Sequence, residues 1–278
     1  MNIAAPARFA TEENVAAYWR DGAVCLMGVF PREWIETLRD GAEKTRHQPS
    51  SDTHWYHGGP GQQSLFFNVS YSWPRVEAFR RFIWESGVTE LAARFARSKK
   101  LNLLWDGVFY RTPGLDQPTP WHQDMPYWPV EGDQIVSVWM PLDLAPLDSV
   151  LSFYRGSHRM GRFKRLSFRD GGKTPHFSAG DRTDAKDVPD LENGPEAKNV
   201  LRWAMEPGDC IVFHGYVLHG SPGNKHADRP LRATTFRFAG DDAVYAYRAE
   251  GMSPSFSSPE IKPGDALDSE LFPVVWRA

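Results

Sequence analysis

The run Trp121-His122-Gln123-Asp124-Met125-Pro126-Tyr127-Trp128 places a histidine and a carboxylate two positions apart. In an extended chain alternate side chains share a face, so His122 and Asp124 can point at one metal ion while Gln123 turns away. A second run, Phe213-His214-Gly215-Tyr216-Val217-Leu218-His219-Gly220-Ser221-Pro222-Gly223-Asn224, lies far enough along the chain to come from another strand. An imidazole from there completes two nitrogens and a carboxylate on one face, with the opposite positions open. That donor set suits non-haem Fe(II), which binds a co-substrate and then O2. Spacing alone does not decide the matter, because the chain has nine histidines and a second His-x-Asp triplet at His226-Ala227-Asp228. The latter sits among Asn224, Lys225, Arg229 and Pro230, where a solvated loop explains it. For His122 and His219 the alternative to a metal is a histidine satisfied within a core.

Four segments carry a resemblance when taken together. Pro120-Trp121-His122-Gln123-Asp124, Leu151-Ser152-Phe153-Tyr154-Arg155-Gly156-Ser157-His158-Arg159, Glu206-Pro207-Gly208-Asp209 and His219-Gly220-Ser221-Pro222-Gly223-Asn224 resemble, in order and spacing, the phytanoyl-CoA dioxygenase family, over roughly residues 8 to 278. The resemblance implies an Fe(II)- and 2-oxoglutarate-dependent oxygenase on a double-stranded β-helix, with His122, Asp124 and His219 as iron ligands. Related halogenases have a small residue in place of the carboxylate, which frees a position for chloride. Asp124 therefore implies oxidation without halide.

2-Oxoglutarate chelates iron through its keto-acid end and leaves a distal carboxylate, which a planar guanidinium pairs well when buried. In many members of the family the anchoring arginine falls near the position that Leu231 occupies here. The candidates in the run Arg229-Pro230-Leu231-Arg232-Ala233-Thr234-Thr235-Phe236-Arg237-Phe238 are Arg229, Arg232 and Arg237. Strand phase puts Arg232 with Thr234 on one face and Thr235 with Arg237 on the other. Halogenase-like relatives have an arginine that resembles Arg237 in position, which ranks Arg237 first and Arg232 second and leaves Arg229 as a loop charge. Ser137 and Trp139 share a face of the strand-like run 135–142 and could bond the same carboxylate, with barrel packing as the alternative. Arg111, on the strand leading to Trp121, could pair with a co-substrate or substrate carboxylate.

A chain of 278 residues, 41% hydrophobic and 24% charged, can bury a full core as a single domain. Its net charge of −3, with no basic stripe, argues against nucleic acid as a partner. No apolar run has membrane-spanning length, and the first residues lack the order of a signal peptide, so a cytoplasmic protein with a small-molecule substrate is expected. The oligomeric state is open. Cys25 and Cys210 lie far apart in apolar runs and are expected as reduced, buried thiols.

The elements that must position these residues divide the chain. Over about 8–98 it reads helical. Thr11 caps a helix through about Arg20 with Glu12 and Glu13 in its first turn, Pro31 opens a helix through Trp34, Ile35 and Leu38, and a third pattern covers Val88 to Arg97, with a short strand over Ala23 to Gly28. Over about 99–240 strands are expected at Leu101–Arg111, Gln134–Asp143, Val150–Arg155, Val200–Met205, Cys210–Phe213, Tyr216–His219 and Arg232–Phe238. The resulting expectation is a mainly β fold with flanking helices (α+β), a jelly roll of cupin-like type braced by N-terminal helices and followed by an extension over 241–278. A polar insertion at 167–199 exceeds an ordinary connection and reads as a lid, with His176 and Phe177 as its inward residues. Gly171-Gly172-Lys173-Thr174 is not a phosphate loop, because position 167 is serine where that motif requires glycine.

Eleven tryptophans invite an aromatic-walled cavity. Trp121, Tyr127, Trp128 and Trp139 are its sequence candidates, with core filling the alternative for each, and Tyr56, His57, Phe67 and Asn68 are candidate substrate contacts. The expected reaction is hydroxylation of a small molecule with 2-oxoglutarate converted to succinate and CO2, although desaturation, ring closure and epoxidation share the chemistry. A zinc hydrolase and a non-catalytic jelly-roll protein binding a metal or ligand are the alternatives. The first lacks a short His-x-x-x-His pair, and the second is favoured by the departure at Leu231.

Overall fold

The computed structural model describes residues 5–166, 185–248, 252–254, 256 and 260–278. His176, Phe177 and the Gly171–Thr174 run lie outside these residues.

Helix α1 (Glu12–Asp21) starts where Thr11 Oγ1 accepts the Asn14 N–H at 3.2 Å, and it ends at Gly22, whose φ of 87° favours glycine. It leads into β1 (Ala23–Leu26). Helix α2 (Arg32–His47) is preceded by Pro31 and buries Ile35, Leu38 and Ala42. Strands β2 (Thr53–His57) and β3 (Phe66–Ser70) and helices α3 (Glu77–Glu85) and α4 (Val88–Ala96) complete the N-terminal part. The chain then runs through β4 (Lys100–Arg111), β5 (Thr119–His122), β6 (Val130–Glu131), β7 (Ile135–Pro141) and β8 (Ser152–Tyr154). It continues through β9 (Val200–Leu201), β10 (Cys210–His214), β11 (His219–Ser221), β12 (Leu231–Ala239), β13 (Val244–Tyr245) and β14 (Val274–Arg277).

The fold is mainly antiparallel β, a jelly roll braced by helices. The large sheet has the order β1-β10-β7-β12-β4-β3-β2, with β14 also on β4, and the small sheet has the order β5-β11-β8-β9. Side-chain alternation divides the large sheet. Val108, Val136, Val138, Met140, Val212 and Phe236 face the helices and pack with Leu38, Phe79, Phe82 and Leu91. The other face of β4, β7 and β12 presents Trp105, Phe109, Arg111, Trp139, Thr235 and Arg237 to a cavity shared with the small sheet. Because both faces of β7 are covered, all seven of its residues are buried and its sequence is almost continuously apolar. Burying a Leu or Phe side chain is worth about 1.5–3 kcal/mol, so the helix layer holds the large sheet rigid behind the cavity.

Several expectations need correction. The N-terminal part is not purely helical, since β1 forms one edge of the large sheet and β3 and β2 the other. The strand expected over Tyr216–His219 begins at His219, because Val217 N–H bonds His214 O at 2.9 Å and closes a turn first. Cys210 is buried but Cys25 is only half-buried, and both are free thiols on adjacent strands. Beyond the barrel, β13 pairs with β6, and Arg248 donates to the carbonyls of Trp128 and Val130, each at 3.0 Å. The C-terminal extension is thereby tied to the cavity rim.

Candidate metal centre and cavity

Strand β5 ends at His122 and β11 begins at His219, and their antiparallel pairing sets these two residues directly opposite. The rings stand 4.2 Å apart between centroids. Asp124 Oδ1 lies 3.4 Å from His122 Nε2 and 3.8 Å from His219 Nε2. One ligand atom from each of the three side chains falls within 4.8 Å of the others. His122 Nδ1 is 2.8 Å from the Pro120 carbonyl, and His219 Nδ1 is 3.1 Å from the Val217 carbonyl. A carbonyl only accepts, so each Nδ1 carries the hydrogen and each Nε2 keeps its lone pair toward the cluster.

The chain leaves extended geometry at Asp124, with φ −74° and ψ −44°, and starts a single turn over Met125–Tyr127. Gln123 does point away, as alternation predicts. Its Nε2 donates to the carbonyls of Gly161 (2.9 Å) and Tyr216 (2.7 Å), and its Oε1 accepts from Phe163 N–H at 2.9 Å. Gln123 thus clamps the chain that enters the polar insertion, whose return strand is bridged at Phe163 and Lys186.

Electrostatics prepare the cluster for a cation. Burial pushes the Asp124 carboxyl up, but the neighbouring His219, His122 and Arg237 groups outweigh it and bring it down to about 2. Burial, with the nearby charge of His122, lowers His219 to about 4, so it is a neutral donor at pH 7. Asp124 Oδ2 is buried with no hydrogen-bond partner. Two imidazole nitrogens and one under-satisfied carboxylate oxygen fit a divalent first-row metal.

The cluster opens into a cavity of 660 Å³ between the two sheets. On one side of it Arg111 donates from Nη1 to Ser221 Oγ (3.0 Å) and from Nη2 to Thr119 Oγ1 (2.6 Å), with its guanidinium carbon 3.9 Å from the centre of the Phe66 ring. Among the described residues it has no carboxylate partner, and burial lowers it to about 9. Arg111 pairs across the sheet with Leu231. A guanidinium therefore stands beside the very position where an arginine was expected and a leucine found.

Arg237 also lines the cavity, with its guanidinium carbon 5.8 and 5.3 Å from the ring centres of Trp105 and Trp128. Arg232 does not. It projects from the opposite face of β12, where Asp143 accepts from its Nε (2.9 Å) and Nη2 (2.7 Å) and Glu43 accepts from its Nη1 (2.8 Å). Its proposed role at the co-substrate is overturned by that face, because three carboxylate bonds already satisfy it. Trp139 lines the cavity, whereas Ser137 is fully buried between its strand partners Arg237 and Phe213 and does not reach the wall. Tyr56, Asn68, Tyr127 and Trp128 line the cavity, but Phe67 packs on the other face of its strand, His57 is exposed, and Trp121 points out to Glu192 at 2.8 Å. The second triplet's His226 pairs with Asp148 at 3.2 Å, off the cavity.

Sequence reasoning passed over Thr119, Ser221 and Gly107. Thr119 and Ser221 sit opposite each other one pleat beyond the two histidines, a placement that only strand pairing reveals. At Gly107 an added Cβ would lie 2.8 Å from Arg237 Nη1 and 3.0 Å from Thr235 Cγ2, so the glycine makes room for the guanidinium.

The profile of the phytanoyl-CoA dioxygenase family matches residues 18–232, across both histidines, the aspartate and the strands that carry them. The chain belongs to the phytanoyl-CoA dioxygenase family. Membership brings the cofactor set of iron, 2-oxoglutarate and O2, and His122, Asp124 and His219 are the metal-binding cluster. A probable phytanoyl-CoA dioxygenase of Caenorhabditis elegans is 25% identical over 148 residues, which is 51% of this chain and 43% of that protein, so the match spans less than half of the relative's length. In fold the chain resembles the non-haem α-ketoglutarate-dependent epimerase SnoN of nogalamycin biosynthesis, with a TM-score of 0.72, 20% identity and 96% of each chain covered. The carbocyclase SnoK of the same biosynthesis gives a TM-score of 0.72 at 19% identity, covering 95% of this chain and 96% of that one. EctD from S. alaskensis, in a structure with 2-oxoglutarate and 5-hydroxyectoine, gives 0.66 at 15% identity, covering 96% and 87%.

Proposed function

We propose that this chain is a dioxygenase that uses Fe(II), 2-oxoglutarate and O2 to hydroxylate a C–H bond of a small molecule, releasing succinate and CO2. The observation that carries the reading is the pairing of the His122–Asp124–His219 cluster with an acid-free guanidinium, Arg111, in one cavity. Ser221 lies two residues beyond His219 on the same face of β11, about 7 Å along the strand, so Arg111 bonded to Ser221 stands one short dicarboxylate away from the metal ligands. Arg111, Thr119 and Ser221 would hold the distal carboxylate of 2-oxoglutarate, which displaces Arg237 from first place for that role. Bound iron, with 2-oxoglutarate and O2, supplies an oxidant able to take hydrogen from an unactivated carbon.

The protein's own part is orientation and exclusion. The Pro120 and Val217 carbonyls fix both imidazoles, and Asp124, ionised near neutral pH, supplies the charge that a divalent ion needs. Phe213 and Phe153 pack their rings against His219, with centroids 5.1 and 5.9 Å away, and keep water from that side. A zinc hydrolase finds no support, since Asp124 is the only carboxylate among the described residues lining the cavity and would be spent on the metal. The departure at Leu231 that favoured a non-catalytic binding protein is answered by Arg111 across the strand.

The test is turnover. Protein loaded with Fe(II) should convert 2-oxoglutarate to succinate in air, and a library of small metabolites should contain compounds that stimulate this and gain one oxygen atom. Products with an inverted centre or a new ring must be read as well, because SnoN is described as an epimerase and SnoK as a carbocyclase. No succinate with any compound, despite metal and 2-oxoglutarate binding, would return the chain to the binding-protein class.

A further inference from the structure

We infer that Arg237 is the recognition site for a carboxylate on the primary substrate, so that the enzyme acts on small carboxylic acids with an apolar body. The inference rests on the oxygenase reading and on Arg111 as the co-substrate anchor. Arg237 is 7% exposed. Among the described residues it forms neither an ion pair nor a hydrogen bond, and its Nε and Nη1 are buried with no acceptor. A buried guanidinium without an acceptor is costly and persists where a ligand supplies the acceptor. The sequence maintains the arrangement, since Gly107 leaves the space that Nη1 occupies.

Other acids do not meet this need. Asp124 is committed to the metal cluster and makes no ion pair with Arg237. Asp106 lies on the other face of β4, where its Oδ1 accepts the Ser72 and Trp73 N–H groups at 2.8 and 2.9 Å. Charge bookkeeping across the cavity points the same way. A divalent iron offsets the two charges of 2-oxoglutarate and Asp124 offsets Arg111. Arg237 keeps a positive charge, which a carboxylate on the substrate neutralises.

Position separates the two arginines. Arg111 pairs with Leu231 at one end of β12, whereas Arg237 Nη1 sits against Gly107, four residues from Arg111 and about 14 Å along β4, beyond what one 2-oxoglutarate held at the metal spans. Around Arg237 the wall comes from Trp105, Trp128, Tyr127 and the C-terminal residues Met252 and Ser253, with Ser253 N–H bonded to Tyr127 O at 2.9 Å. Trp105 and Trp128 meet edge to face at 80°, with centroids 5.0 Å apart. They give the anion site an aromatic lining against which an apolar chain or ring can pack.

The test uses the full chain with Fe(II) and 2-oxoglutarate under argon, and phenylacetate with its neutral isostere phenylacetamide as probes. Calorimetry should show phenylacetate binding at least about tenfold tighter than phenylacetamide, as expected for a charge-assisted bond in a buried site. Arg237→Gln should abolish that preference and Arg237→Lys should keep part of it, while 2-oxoglutarate affinity in Arg237→Gln stays within about threefold of the parent. Three results would overturn the inference: no preference in the parent, a preference that survives in Arg237→Gln, or a tenfold loss of 2-oxoglutarate affinity in that variant. The same probe pair is measured on metal-free protein. A preference there, together with no binding of 2-oxoglutarate to the Fe(II)-loaded protein, would uphold the anion site while sinking the oxygenase reading.

Discussion

Replacing Arg111 by methionine should make the metal-free protein more stable while stripping it of 2-oxoglutarate. Burial lowers this guanidinium from its usual range to about 9, a disadvantage to the charged form of roughly 5 kcal/mol. The variant loses the bonds to Ser221 Oγ and Thr119 Oγ1, about 1 kcal/mol each, and the stacking on Phe66, about 1–2 kcal/mol. Methionine refills most of the volume, so the balance is a gain of about 1–2 kcal/mol. In a thermal melt with chelator present, that corresponds to a rise of about 2–4 °C per kcal/mol. With metal present, loss of a charge-assisted carboxylate bond should weaken 2-oxoglutarate by about tenfold or more, measured by anaerobic calorimetry. A variant that melts lower and binds 2-oxoglutarate as the parent does would refute the assignment, because Arg111 would then be an ordinary structural side chain.

Arg232→Met should behave in the opposite way, losing about 3–5 kcal/mol in a denaturant melt because Asp143 is left buried without its cation, yet keeping its affinity for 2-oxoglutarate. Gly107→Ala should fold with a modest fall in melting temperature, since Thr235 Cγ2 and Asn68 Nδ2 must give slightly, and it should displace the Arg237 guanidinium and weaken phenylacetate binding several-fold. His214 is lowered to about 4 by burial and its Nδ1 accepts the Tyr216 N–H at 3.1 Å, so protonation there is disfavoured in the folded state. Its stabilising contribution is complete above about pH 6.5 and lost as pH falls toward 4, by roughly 3 kcal/mol. His214→Gln, less stable than the parent at pH 8, should therefore close the gap by pH 4; a gap constant with pH would contradict this.

Local signals in the sequence located what local physics controls. The Thr11 cap, the apolar spacing of α2 and α4 and the long runs of β4, β7 and β12 were legible because each element carries its own periodicity. Helix α3 carried the same kind of signal in Phe79, Phe82 and Ile83, but it follows the short strands β2 and β3, whose half-polar sequences suggested no regular element before it. The metal cluster was readable from residue types. Arg237 and Arg232 could be separated by strand phase only once the face toward the cavity was known. Arg111 was visible as a candidate but not its importance, since that depends on the register that sets it beside Leu231. Thr119, Ser221, Gly107 and the rim residues Met252 and Ser253 act through partners far along the chain, and no local pattern marks them.

The most direct measurement is an anaerobic titration of the metal-free protein with Fe(II) and 2-oxoglutarate, followed by the weak visible charge-transfer absorption of a chelated keto acid. The band should develop in the parent, disappear in His122→Ala and in His219→Ala, and require much more 2-oxoglutarate in Arg111→Met than in Arg232→Met. A parent protein that binds Fe(II) and shows no band at any 2-oxoglutarate concentration would contradict the assignment of this cavity to keto-acid-dependent oxidation.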